Sequence, residues 1–399
     1  MYRMDNNDRL ILLAPWVLDS EAGKLHPDTA VFIRNGIIAE VKANFSHANL
    51  PAEGRFRLIE LSEHTLLPAL IDCHVHLALD GQDFQSAQAR WDNELEWLAQ
   101  VRESLQNSLE HGLGLLRDGG DGGNVGLKVR NLVRDGELAG PEILACGQAV
   151  YKKGRYGSFL GPGASDLNEA GGMIETLGRQ GVDWIKILVS GIVSFKEYGK
   201  VGACQFTQAE LNYLVQQAHS LGLPVMAHAS SDEAVVLTVN AGVDSVEHGY
   251  FLSTDSLKRL AAKNIPWIPT VVPVANQVDA AAKSAHSEES REIIIRTYEL
   301  QLARIKEAFE LGVAVGIGTD AGASAVPHGQ NHYQELRLFA QAGLTRAEIL
   351  KACTSTAARI CGREQDFGAI RTNRKARLIG VRGNPLEDLS TLEKIEFSL

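Results

Sequence analysis

Near the N-terminus the apolar positions come in short, β-branched runs broken by turns. "LILLAPWVL" (10–18) and "TAVFIRNGIIAEV" (29–41) read as strands, and Asn35-Gly36 inside the second is a hairpin signal. The rhythm changes near Leu66. From there apolar runs alternate with amphipathic segments of helix length: "TLLPALIDCHVHLAL", "GLGLLRD", "EILACGQAV", "DWIKILVS", "LPVMAHA", "DSVEHGY", "IPWIPTVV" and "GVAVGIGTD". The intervening "TQAELNYLVQQAHSLG" and "RTYELQLARIKEAFELG" are helical patterns, each closed by a glycine suited to a C-cap.

Such alternation means parallel strands joined by crossover helices. Eight units over roughly 250–300 residues predict a TIM-like (β/α)8 barrel. After a helix around Arg346–Cys361 the pattern returns to strands in "FGAI", "ARLIGV" and "IEFSL". The chain therefore reads as α/β. A barrel is expected over 66–362, with a small β-sandwich domain built from both chain ends, 1–65 and 363–399.

Composition narrows the functional classes. Hydrophobic residues make up 45% and charged ones 22%, enough apolar material for a core and too much for a disordered chain. The balance of 39 Lys+Arg against 49 Asp+Glu leaves −10, which repels a phosphate backbone, so no nucleic-acid partner is expected. Cys73, Cys146, Cys204, Cys353 and Cys361 include no C-x-x-C, which reads as free thiols in a reducing compartment. No apolar run reaches the ~18 residues of a membrane span, so no membrane partner is expected either. Residues 10–18 follow Asp5 and Asp8 and precede no A-x-A pattern; a first strand is the better reading than a signal-peptide core, and the expected location is cytoplasmic. The oligomeric state stays open, a homo-oligomer included.

The chemistry lies at the strand ends. In "IDCHVH" the alternation of a strand puts Asp72, His74 and His76 on one face, where two imidazoles can grip one cation. His228 ends "LPVMAH", His248 ends "DSVEH" and Asp320 ends "AVGIGTD". On a parallel barrel all these C-terminal ends lie on one face, where active sites assemble. A metal site is the reading that accounts for four histidines and an aspartate all in such positions.

Lys186 in "DWIKIL" lies between Ile185 and Ile187. If those face the helices, Lys186 points inward, where burial beside cations would neutralise it. A neutral amine can take up CO2 to form a carbamate, whose two oxygens could bridge two metals. The alternative is a lysine that snorkels to the strand end or pairs with a carboxylate such as Asp183.

In this combination the chain resembles the amidohydrolase superfamily nearly end to end. It is most similar to the branch of Xaa-Pro dipeptidase-like and carboxypeptidase-like metal hydrolases with a bridging carboxylated lysine. "LPALIDCHVH" matches the P-G-L-I-D-x-H-x-H signature and "RDGGDGG" the R-D-x-G-G after the second strand. "DWIKILVSG", "VMAHAS", "VDSVEHG", "GTDAG" and "GNPLEDL" follow in order. The resemblance implies metal ligation by His74, His76, carboxylated Lys186, His228, His248 and Asp320, with Asp320 as proton shuttle. It further implies two divalent ions, zinc being expected, and a metal-bridging hydroxide that cleaves the amide of a small substrate such as a dipeptide or N-acyl amino acid.

Departures from the family pattern are local. Ala69 replaces a glycine, "GLGLLRD" lacks paired threonines, Ile192 stands where a second glycine is common, and Arg377 replaces an aspartate. The largest is "VYKKGRYGS", where relatives carry a T-G-G-H-like segment lining the substrate pocket. Its Lys152, Lys153 and Arg155 could receive a substrate carboxylate or be solvated surface. Tyr151, Arg155 and His328 are the expected substrate contacts, with His332 a further residue near the pocket. The glycines of "DGGDGG" are not expected to cradle phosphate, since no G-K-[ST] follows and no helix is expected there. The absence of G-x-S-x-G removes the usual serine-hydrolase route. Two other hydrolase readings remain. A mononuclear deaminase or cyclic-amidine hydrolase would need an acid or glutamine three residues after His228, where Ser231 stands, and a lactonase or esterase could use the same centre.

Overall fold

A computed structural model describes residues 9–50, 56–283 and 287–399. Asp5, Asp8 and the 51–55 part of the expected β domain lie outside them.

The N-terminal part gives β1 (Arg9–Asp19), β2 (Lys24–Arg34), β3 (Ile37–Lys42), β4 (Arg57–Glu60) and β5 (His64–Pro68). Then come β6 (Leu70–Val75), β7 (Leu113–Asp118), β8 (Glu142–Ala145), β9 (Ala149–Val150), β10 (Ile185–Leu188), β11 (Val225–Ala229), β12 (Ser245–His248) and β13 (Trp267–Ile268). β14 (Leu378–Arg382) and β15 (Ile395–Ser398) close the chain.

Strands from both chain ends join in one sheet, ordered β15-β14-β5-β1-β2-β3 with β4 also on β1. The first run is thus strand β1, and Asn35-Gly36 turns β2 into its antiparallel partner β3. The hydrogen bonds join these strands into one continuous sheet. It forks at β1, whose first half pairs with β4 and whose second half pairs with β5, because β1 is long enough to serve two partners. β5 carries the sheet to Pro68, past the boundary expected at 65.

The remaining strands are parallel. β6-β7-β8 form one sheet and β9-β10-β11-β12-β13 another, with residues 142–150 supplying both β8 and β9. The eighth predicted run, 312–320, forms no regular strand. It is nevertheless bridged in parallel to Trp267 on one side, through Val315, and its neighbour Ala321 to Val75 on the other. Cys73 N–H also donates to Ile317 at 2.8 Å.

Helices cover the intervals as predicted from their periodicity. The helix Gln208–Ser220 starts in a capping box of Thr207 and Glu210, and Ser287 caps Glu288–Glu310. A helix at Val125–Arg134 corrects the expectation that none follows "DGGDGG". Its first free amides are already used: the Asp121 carboxylate accepts from Gly123, Val125 and Gly126 at 2.8–2.9 Å, so they do not face an anion. Among the described residues no helix is long and apolar enough to cross a membrane.

Candidate metal centre

Six polar side chains from four strands and the run after β13 converge on one floor. His74 and His76 come from β6 and its end, Lys186 from β10, His228 from β11, His248 from β12, and Asp320 from the run that follows β13. All are buried except Asp320, whose side chain keeps 15% of its surface. The Lys186 Nζ lies 3.2 Å from His74 Nε2. Asp320 Oδ1 lies 3.6 Å from His74 Nε2 and 3.5 Å from His76 Nε2. The His228 and His248 rings are 4.5 Å apart, and His248 is 4.9 Å from His74.

Each imidazole has one nitrogen already held by a neighbouring polar group, and for His74 and His76 the other, Nε2, lies beside Asp320. His74 Nδ1 meets Glu247 at 2.6 Å, and His76 Nδ1 meets the Gly120 carbonyl at 2.8 Å. His248 Nδ1 meets Thr270 Oγ1 at 2.7 Å. His228 is turned the other way: its Nε2 meets Gly191 O and Ser230 Oγ at 3.3 and 3.1 Å, leaving Nδ1. Burial pushes His76 and His228 down to about 3, and His74 and His248 well below the ordinary histidine value. Neutral rings with a fixed second nitrogen are what divalent ions bind, and the ligand atoms of His74, His76 and Asp320 lie within 4.8 Å of one another.

Backbone geometry aims two of the six. Glu247 and Ser245 share one face of β12, so simple alternation would turn His248 to the other. A φ of 68° at His248 swings it back, and Asp320 has φ 57°. Thr270, which holds His248, has φ 48°. Left-handed backbone of this kind costs ~1–3 kcal/mol per residue and persists where surrounding structure enforces it. Gly119 leaves room for the rings: a Cβ there would sit 2.8 Å from His76 Cε1 and 3.3 Å from His74 Nε2.

Lys186 does not pair with Asp183. That carboxylate takes Arg130 at 2.6 Å and the Ala145 amide at 2.9 Å. Burial lowers the Lys186 pKa below the usual ammonium value, against the pull of Glu247 and Asp320. Burial also raises Asp320 to about 7, partly offset by Lys186. Asp72 turns away from the group and ties the floor together, accepting from Thr319 Oγ1 at 2.7 Å and from the amides of Thr319 and His74.

A cavity of about 490 Å³ opens above this floor, with Arg155 and Tyr156 in its wall. Two expected substrate contacts are elsewhere. Tyr151 is buried, its hydroxyl donating to Gly161 O at 2.6 Å, because the 151–164 loop folds back on itself through the Lys152–Ala164 bridge. His328 is buried with Nε2 on the Leu79 carbonyl at 2.9 Å, and His332 on that of Ile71 at 3.1 Å. Lys152 is taken by Glu210 at 2.7 Å.

The sequence reading missed Glu247. It is fully buried between His74 and Arg117, whose guanidinium reaches it at 3.0 Å and also holds the Cys73 carbonyl at 2.7 Å. A carboxylate one residue before a strand-end histidine was the available signal. Glu335 was also missed. It accepts the Val271 and Val272 amides at 2.9 Å, pinning the turn that carries Thr270.

The sequence model of the amidohydrolase family matches residues 65–398. The chain belongs to the amidohydrolase family. It is thus a hydrolase acting on amide bonds, in a family that uses divalent metal ions. Similar proteins include the ochratoxinase of Aspergillus niger, 24% identical over 399 aligned residues, which span 92% of this chain and 80% of that protein. An uncharacterised protein of Mycobacterium tuberculosis is 28% identical over 302 residues, 75% of each chain. Among solved structures, a Xaa-Pro dipeptidase with methionine bound in its active site superposes with a TM-score of 0.86 at 25% identity over 98% of both chains.

For an amidohydrolase site built this way, Glu247 should matter through His74. Glu247→Gln keeps the shape but removes the charge that fixes the His74 tautomer and balances Arg117. Metal retention is expected to fall ~10–100-fold in a chelator competition, with circular dichroism unchanged. Unaltered affinity would show that the carboxylate only completes the packing.

Proposed function

We propose that the centre holds two divalent ions, zinc in the resting enzyme, through His74, His76, Lys186 as a carbamate, His228, His248 and Asp320. We also infer that the parallel runs close into a (β/α)8 barrel over 66–362, with the sheet of both chain ends as a separate small domain. The bridges from 315 and 321 to the strands on either side support closure. One observation carries the metal reading: four neutral imidazoles, a lysine of lowered pKa and Asp320 meet at parallel strand ends, each ring oriented through its other nitrogen.

The charges support two ions. Two divalent cations bring +4, while a carbamate, Asp320 and hydroxide bring −3, leaving a tolerable +1 for a buried site.

Such ions, when bound, would supply Lewis-acid polarisation of the scissile carbonyl and a nucleophilic hydroxide at neutral pH. The chain's own groups do the rest. Asp320, whose Oδ1 faces His74 and His76, has Oδ2 left to take the proton of the attacking water and return it to the departing nitrogen. Glu247 and Thr270 hold the rings still, and the cavity walls keep bulk water from the amide. The substrate is a small amide, a dipeptide or an N-acyl amino acid, with Arg155 at the far end for a carboxylate. Ser231 speaks against the mononuclear deaminase, since its hydroxyl caps the helix Asp232–Ala241 and no acid takes that place.

Elemental analysis of the chain prepared with Zn²⁺ and bicarbonate tests this. Close to two equivalents per chain are expected, together with amide hydrolysis. A reproducible single equivalent with full activity would replace the dinuclear reading by the mononuclear one.

A further inference from the structure

Cys73 stands between Asp72 and His74 on β6, and its side chain packs into an apolar cluster with Leu115, Leu144 and Cys361. Cys361 ends the helix Ser355–Ile360. The two sulfurs lie 3.8 Å apart although 288 positions of chain separate them. Among the described residues no other two thiols are hydrogen-bonded to each other. Cys146 Sγ meets the Met226 thioether at 3.3 Å, which cannot form a disulfide, and Cys353 Sγ donates to the Leu350 carbonyl at 3.4 Å. Cys204 is half-buried.

The pair is buried but not sealed. Cys361 lines a cavity of about 610 Å³, whose walls also include Trp184, Pro224, Asp244 and Pro266. Each of those four stands immediately before a strand, β10, β11, β12 and β13 in turn. The cavity therefore lies at the N-terminal ends of the parallel strands, opposite the floor that carries His74. A small oxidant can reach Cys361 from there without crossing the candidate centre. Cys361 keeps 3% of its surface and Cys73 none, so Cys361 is the thiol that meets it first. The hydrogen bond with Cys73 holds the Cys361 thiol below its usual value against the effect of burial, and the Arg117 charge adds to this.

We propose that Cys73 and Cys361 form a reversible oxidation site, which reacts with a small hydroperoxide and closes to a disulfide between β6 and the helix Ser355–Ile360. The Cys361 thiolate attacks one peroxide oxygen and the O–O bond breaks. With hydrogen peroxide, the hydroxide that leaves takes up the proton released by Cys361 and becomes water. Cys361 is then a sulfenic acid. The Cys73 sulfur bonds to the Cys361 sulfur, the S–O bond breaks, and hydroxide departs as water with the Cys73 proton. Two thiols lose two electrons and two protons, and the peroxide is reduced to two waters. For the bond to form, the sulfurs close from 3.8 Å to about 2.05 Å, a shift that two side chains share.

The test treats the folded full chain with hydrogen peroxide near neutral pH, blocks the remaining thiols with an alkylating agent and maps the peptides by mass spectrometry. The free thiols should fall from five to three, with one pair of peptides joined through Cys73 and Cys361, and dithiothreitol should restore all five. In Cys73→Ser the second step has no partner, so a cyclic 1,3-dione should trap Cys361 as its sulfenic acid. Cys361→Ser should abolish the disulfide, and Cys204→Ser should leave it unchanged. The peptide map of the unaltered chain decides the matter even where a variant fails to fold. Oxidation confined to Cys204, a disulfide through any other pair, or five thiols still free after peroxide treatment overturns the inference. None of these readouts uses hydrolysis, so such a result leaves the proposed amide chemistry standing.

Discussion

Lys186→Ala should leave the chain folded but reduce its metal content from two equivalents toward one and its kcat by ~10³-fold or more. The side chain is buried, with its Nζ 3.2 Å from His74 Nε2, and the nearby carboxylates are already engaged, Glu247 with His74 and Arg117 and Asp320 beside His74 and His76. One divalent ion contributes several kcal/mol of transition-state stabilisation, which at ~1.4 kcal/mol per decade gives that factor. Acetate or propionate in trans should restore part of the activity by placing a carboxylate in the space of the carbamate. Replacement by arginine or glutamine should not restore it, since neither offers the same two anionic oxygens. An alanine variant with both ions and near wild-type turnover would make Lys186 a strand lysine and nothing more.

Asp320→Asn is expected to lower kcat by ~10²–10⁴-fold while KM changes little, because the lost group works on the proton and not on substrate binding. The asparagine can keep the φ of 57° and the approach to His74 and His76, so geometry survives while basicity does not. Burial, partly offset by Lys186, raises the Asp320 carboxyl to about 7. Divalent ions held at the proposed centre would act in the opposite direction and keep it ready to accept. A kcat within threefold of wild type, measured at saturating substrate, would assign the proton transfer to another group.

The six side chains that the structure gathers were each readable in the sequence for a local reason. His74, His76, His228, His248 and Asp320 each follow an apolar run, and Lys186 interrupts one. Parallel topology then places all such ends together. The strands and helices were legible for the same reason, since periodicity is a property of neighbours in the chain. β1 and the helix capped by Thr207 are examples. The helix at Val125 was not, because the Asp121 carboxylate caps it from within a glycine run that reads as loop.

The order of the elements, the polar residues at the strand ends and the family are therefore written in the local pattern of the chain. Which residues surround those strand ends depends on contacts between distant segments. Arg117 and Glu247 meet across 130 positions, and no local pattern links them. Tyr151 and Tyr156 stand five positions apart in one loop, yet the first is buried against Gly161 and the second lines the cavity. A loop has no period, so the direction of each side chain is set by the hydrogen bonds that fold it back, here those between Tyr151, Lys153 and Ala164. In the same way, a positive φ at His248 turns its ring against strand alternation, and Asp320 has a positive φ as well. That turn is enforced by contacts from distant segments, and distant contacts are what a linear pattern does not contain.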